Sequence, residues 1–273
     1  MKHDLTILEK LNLIIQGISS YNFRNQVASD IGIDQLYVPN TNLLSQKSLD
    51  YIQEWTSTNK MKLNTKKSNT MIFNFTEDYQ FATRLYLENA LLENVNETKL
   101  LGVYITSDLK WTKNTEMLVI RAYKRMIMLH RLIQFNPPQS DLVTIYKLYI
   151  RSILEQSCHV WHYSLTQEDV TDLERVQKVA CKVILQENYE SYDQALDLLD
   201  LEALFNRREK LLLKFGKKCA SHPRTSDMFP LSKQCEYPLR KKEKYVVQKT
   251  RTSRLLHSTI PQLQRALNHD AQS

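Results

Sequence analysis

Between Leu118 and Leu185 apolar residues return at every third or fourth position, and the only prolines in that stretch are the adjacent Pro137 and Pro138. Such a pattern fits helices that each bury one face, interrupted once, and fits little else. Residues 114–134 predict a helix with Leu118, Ala122, Leu129 and Ile133 on one side. The proline pair stops it, and Ser140 is placed to cap the next helix. There Leu142, Ile145, Tyr146, Tyr149, Ile150, Ile153 and Leu154 form a complete helical stripe. Thr166 with Asp169 reads as a capping box opening a third helix that runs through Leu185, its buried face being Leu173, Val176, Ala180 and Val183. Further helices are expected near 191–200 and 202–220, with a last one at 260–268. Four glycines in 273 residues agree with a largely helical chain and leave no Gly-rich phosphate loop.

Before Trp111 the pattern differs. Residues 5–15 read as a strand or buried hairpin and 19–42 as a long loop. Residues 43–58 predict a helix with Leu44, Leu49, Ile52 and Trp55 on one face. Three β-segments follow: "NTMIFNF", "RLYLENALLE" with a turn at Glu88-Asn89, and "TKLLGVYIT", apolar enough to be one strand buried on both faces. Together with the opening strand they predict a small antiparallel sheet. The expected class is α+β: a small sheet to residue 110, an all-helical region over 111–222, and a basic, partly irregular extension over 223–273.

The net charge of +7 is concentrated. Residues 206–254 hold 15 Lys and Arg against 4 Asp and Glu, while the remainder holds 22 against 26. A basic segment on a nearly neutral body points to a phosphate-bearing partner or an acidic surface, or else to a solvated tail. The four cysteines form no CxxC pair and read as reduced thiols. No run of 18 apolar residues occurs, so no membrane contact is expected, and a soluble intracellular protein is the default. Cys158 with His162 and Cys219 with His222 have the residue types of a zinc site, but the two pairs stand far apart in helical sequence, so no resident metal is expected. A G-x-S-x-G nucleophile elbow is absent.

Several stretches, taken in order, carry a resemblance: "HDLTILEK", "SLDYIQEWTSTNKMKLNTKKSNTMIF", "ETKLLGVYITSDLKW", "LVIRAYKRMIMLHRLIQF", "IYKLYIRSILEQSCHVWHYSL", "DLERVQKVACKVIL" and "LEALFNRREKLLLKF". The series resembles the C-terminal half of a non-LTR retrotransposon-type reverse transcriptase, an RNA-directed DNA polymerase. The resemblance implies the end of the palm over 1–110, then the thumb and the helices after it. It implies Mg²⁺ in the parent family, held by one upstream aspartate and an adjacent pair. Asp4 matches the second of that pair, and His3 stands at the first. Imidazole is a poor ligand for a hard cation that prefers oxygen, so a chain with this donor set is expected not to polymerise alone.

The same resemblance matches Lys66 or Lys67 to the family lysine that approaches the incoming triphosphate. It also places Lys110, Lys113, Arg121, Lys124 and Arg125 where the thumb follows nucleic acid by backbone contacts, independent of sequence and sensitive to salt. Arg121, Lys124 and Arg125 share a helix face by spacing. Arg240, Lys241 and Lys242, close to Tyr245, have the basic and aromatic mix that suits single-stranded nucleic acid. The expected function is therefore a truncated, catalytically silent reverse-transcriptase fragment that retains at most weak, residual binding of RNA or DNA. The alternatives are a helical module that holds a protein partner, and an active polymerase if the absent palm and fingers are supplied.

Overall fold

A computed structural model describes residues 41–73, 84–232 and 244–271. The chain is α+β at the coarse level, with helix predominating among the described residues and their β structure confined to short pairs. The described residues form two compact units whose boundary in sequence falls between Lys110 and Trp111. The opening strand with His3 and Asp4, most of the loop expected at 19–42, and Arg240, Lys241 and Lys242 lie outside the described residues. Among the described residues no helix is long and apolar enough to cross a membrane.

The first unit contains α1 (Thr41–Thr58), a 3-10 turn (Thr65–Lys67) and strands β1 (Asn69–Thr70), β2 (Tyr86–Leu87), β3 (Ala90–Leu91), β4 (Glu93–Asn94), β5 (Glu97–Leu100) and β6 (Val103–Thr106). Glu88 and Asn89 both have positive φ (49° and 64°), as a two-residue hairpin turn matching strand twist requires, and they join β2 to β3 with Leu87 opposite Ala90. The reading of "TKLLGVYIT" as one strand is corrected. Leu101 and Gly102, with φ of 52° and 89°, make a second two-residue turn, so the segment folds back as the β5–β6 hairpin. Gly102 takes that conformation freely; Leu101 adopts it against the steric preference of a branched side chain. Only Val103 and Ile105 of this hairpin are buried, and they alternate with half-buried Tyr104 and Thr106. The single antiparallel sheet that was expected is, among the described residues, three separate two-stranded pairs, of which β1–β4 is parallel.

Of the apolar face its spacing predicts for α1, Ile52 and Trp55 are about half exposed (47% and 51%) and Leu49 is half-buried. The helix docks through amides. Gln46 Nε2 donates to the Tyr86 carbonyl and Gln46 Oε1 accepts from the Tyr86 N–H, both at 2.8 Å. The side chain thus pairs with the free edge of β2 as a neighbouring strand would. A polar residue in that role leaves no trace in hydrophobic periodicity.

The helical unit comprises α2 (Thr112–Ile133), α3 (139–154), α4 (Cys158–Trp161), α5 (Gln167–Leu185), α6 (Tyr192–Leu198), α7 (Leu204–Ser221), α8 (Ser253–Leu256) and α9 (Thr259–Asp270). Helix α3 starts as Gln139–Ile145, widens into a π-helical turn over Tyr146–Arg151 and closes at Ser152–Leu154. Leu118, Ala122 and Leu129 of α2 are buried against α5 as expected and Met126 joins them, whereas Ile133 is only half-buried; Leu173, Val176, Ala180 and Val183 of α5 are buried as their spacing predicts. The Thr166–Asp169 capping box is formed, and Asp169 also accepts from the Thr112 hydroxyl at 3.3 Å, tying the start of α5 to the start of α2.

Two expectations for α3 are corrected. The helix starts at Gln139, so Ser140 lies inside it, and the Ser140 hydroxyl bonds to the neighbouring Asp141 carboxylate rather than capping. The stripe also breaks at Tyr149, which is 49% exposed while Tyr146, Ile150 and Leu154 are buried. The extra residue of a π turn rotates the register and delivers Tyr149 to solvent.

Residues 244–248 return in extended form onto α9. The Asn268 amide brackets Tyr245, accepting from its N–H at 2.8 Å and donating to its carbonyl at 2.9 Å. Gln264 accepts from the Gln248 N–H at 2.7 Å and donates to the Met228 carbonyl at 2.8 Å. Helix α9 itself crosses α7 at Gly216, where a Cβ would lie 3.2 Å from Leu263 Cδ2. Removing the amide with Asn268→Ala strands two backbone groups of Tyr245. It is expected to cost about 1–2 kcal/mol in urea unfolding and to expose the 244–248 backbone to hydrogen exchange. Unchanged protection there would show that the amide does not fasten the segment.

Candidate nucleic-acid interface

Helix α2 presents two chemically distinct faces. The inner one is the buried Leu118–Ala122–Met126–Leu129 side. On the opposite side Lys124, Ile127, Met128, Arg131, Leu132 and Phe135 line a shallow groove of about 330 Å³. These positions recur at i, i+3, i+4, i+7, i+8 and i+11, so one stripe of the helix and the turn after it make the whole lining. Ile127 is 54% exposed and Phe135 79%. The helix ends cleanly: Asn136 takes a left-handed φ of 46° and Pro137 follows, which holds Phe135 at the very end of the stripe. Lys124, Arg125 and Arg131 are exposed, and none of them forms an ion pair among the described residues.

The residues expected to bind nucleic acid separate on this geometry. Lys124 and Arg125 stand exposed on α2 with no ion pair among the described residues. Lys113, near the start of the helix, pairs with Glu116 at 3.4 Å. Lys110 belongs to the first unit and pairs with Asp108 at 3.4 Å. Burial works against ionisation of Asp108, yet hydrogen bonds from the Thr106 hydroxyl and from Lys110 hold its carboxyl below the ordinary range. Both pairs are exposed, and such pairs contribute about 0–1 kcal/mol. Arg121 does not join the free cations. It is half-buried, donates to Gln156 Oε1 at 3.1 Å and to the Met117 carbonyl at 3.3 Å, and so braces α2 against the turn after α3. Lys66 and Lys67 are exposed on the Thr65–Lys67 turn of the first unit.

Arg131, Ile127 and Phe135 were not picked out from sequence. Their signal is the outer stripe itself, Lys124–Ile127–Arg131–Phe135, and its apolar members hide it, since they read as additional core.

Cys158, Cys181 and His162 are buried in the helical unit. Cys158 is buried, and burial pushes its thiol up to about 11. His162 Nδ1 accepts from Arg208 Nε at 3.2 Å, beneath a guanidinium that lies 5.8 Å from the Trp161 ring. His222 Nδ1 accepts from the Arg224 N–H at 3.2 Å. Among the described residues no cluster of three or more His, Cys, Asp or Glu is arranged to hold a metal ion. No protein-family model matches this chain, and no curated protein or solved structure matches it either.

Proposed function

We propose that this chain carries palm-end, thumb and following helical segments of a non-LTR retrotransposon-type reverse transcriptase, and that it binds RNA or DNA without sequence preference through the outer face of α2. The ordered series of motifs supports the descent. The observation that carries the binding is the trio Lys124, Arg125 and Arg131: exposed cations on the solvent side of one helix, free of ion pairs among the described residues. Cations in that state release condensed counterions from a phosphate backbone and need no base-specific contact.

This donor set does not suit template copying: His3 stands where the matched pair has its first aspartate, imidazole is a poor ligand for Mg²⁺, and a magnesium pair needs several hard oxygen ligands. Primer extension with Mg²⁺ or Mn²⁺ is expected to give no product, and incorporation above background contradicts this half of the reading. For the other half, filter binding to a primer–template is expected to weaken steeply as salt rises. Three phosphate contacts correspond to a slope of about −2 to −3 in log affinity against log salt. Binding that ignores salt contradicts it.

A second reading, a helical module for a protein partner, draws on Tyr51, Ile52 and Trp55, a cluster of large exposed side chains on α1. Pull-down from nuclease-treated extract tests it, and loss of every retained protein on nuclease treatment counts against it.

A further inference from the structure

We infer that the α2 groove is a single-strand site: Phe135 stacks on an unpaired base while Arg131 and Lys124 hold phosphates of the strand that runs on from it along the helix. The inference rests on the nucleic-acid reading above and specifies the form of its ligand. Three observations lead there. First, the groove has an apolar floor of Ile127, Met128 and Leu132 beside Lys124 and Arg131, two cations without an ion pair among the described residues, and Phe135 stands out at its end. A duplex keeps its base faces stacked away from this surface, so Phe135 would have no ring face to stack on without first unstacking the helix. An unpaired base has a ring face to offer, and base–aromatic stacking tolerates any sequence.

Second, the dimensions suit a short piece of strand. At 1.5 Å per residue Arg131 lies about 10 Å along the axis from Lys124, and Phe135 about 16 Å from it. Third, all six lining residues come from α2 and the turn after it, so the groove has no second wall. An acidic amphipathic helix from a protein would rest on a single ridge and bury far less than a stable protein interface requires. A flexible polyanion needs no second wall, because it fits charge and ring one nucleotide at a time.

Fluorescence anisotropy on the full chain tests this with three probes: a labelled thymidine oligonucleotide of roughly 12 nucleotides, a duplex of the same length, and a synthetic acidic amphipathic peptide. The oligonucleotide is expected to bind more tightly than the duplex. Phe135→Ala should weaken oligonucleotide binding about five- to a hundredfold and leave duplex binding unchanged, while Phe135→Trp should keep it. Phe135 is on the surface, so these variants fold. Lys124→Glu with Arg131→Glu should weaken both nucleic-acid probes. Equal affinity for strand and duplex, or indifference of the oligonucleotide to Phe135→Ala, overturns the single-strand assignment while phosphate binding stands. Tighter, Phe135-dependent binding of the peptide overturns it in favour of a protein ligand. If neither nucleic acid binds, the underlying reading falls with it.

Discussion

Acidification from neutral pH to about pH 4.5 will cost the helical unit roughly 3 kcal/mol through His162 alone. His162 is buried, and burial together with the neighbouring Arg208 charge pulls its pKa from 6.5 down to about 3. Above pH 6.5 folded and unfolded chains both carry neutral imidazole there, so the residue contributes no pH dependence. Below it the unfolded chain takes up a proton that the folded chain refuses, and stability falls by about 1.4 kcal/mol per pH unit until the folded value is reached. His159, stacked on Phe215 with ring centroids 4.5 Å apart, is also lowered by burial and adds to the loss. Urea unfolding followed by circular dichroism at the two pH values measures the effect. Carboxylates titrate in the same range, so the comparison is with His162→Gln, whose amide can accept from Arg208 but does not ionise. The wild-type chain should lose roughly 3 kcal/mol more than the variant. Parallel losses in the two proteins would show that His162 is protonated in the folded state.

Glu174→Ala is the second large effect, at about 3–5 kcal/mol of destabilisation. Glu174 Oε1 accepts from the Leu204 N–H at 3.0 Å, one of the orphan donors at the start of α7, and from the Tyr192 hydroxyl. Tyr192 receives in turn from Gln177 Nε2 at 2.9 Å, and Gln177 Oε1 accepts from the Tyr146 hydroxyl at 2.5 Å. This one carboxylate therefore closes a polar chain running from α3 through α5 to α6 and α7. It also offsets the charge of Arg208, which is fully buried and whose two Nη atoms have no hydrogen-bond partner among the described residues. Alanine removes the acceptor and the charge together. Glu174→Gln keeps an acceptor and loses only the charge, so it should fall between wild type and alanine. A loss below about 1 kcal/mol for the alanine variant would mean that the network is not coupled to folding.

These two sites mark where sequence reading stops. The α2 and α5 stripes, the Thr166–Asp169 capping box and the Glu88-Asn89 turn were legible because each is set by residues within a few positions of one another. Arg208 was not, because an arginine on a helix reads as surface until its partners from α4 and α5 are seen around it. Gln46, Gln264 and Asn268 were equally silent: each replaces a strand's hydrogen bonds with a side-chain amide, and amides carry no periodic signal. The turn at Leu101-Gly102 was overlooked because its apolar residue continues the run on either side. At the candidate site, Lys124 and Arg125 were legible as charge. Arg121 was grouped with them by spacing alone, whereas its place is fixed by Gln156, a partner 35 positions away.

The proposed role of the α2 surface depends on three side chains, and their reversal is the decisive test. Lys124→Glu, Arg125→Glu and Arg131→Glu, combined in one chain, change only exposed positions, so circular dichroism should match wild type. Affinity for a primer–template is then measured from low to moderate salt. The variant should bind more weakly throughout, and the slope of log affinity against log salt should shrink in magnitude by about 2–3. A variant that keeps the wild-type slope and affinity would show that phosphates are bound elsewhere on the chain or not at all.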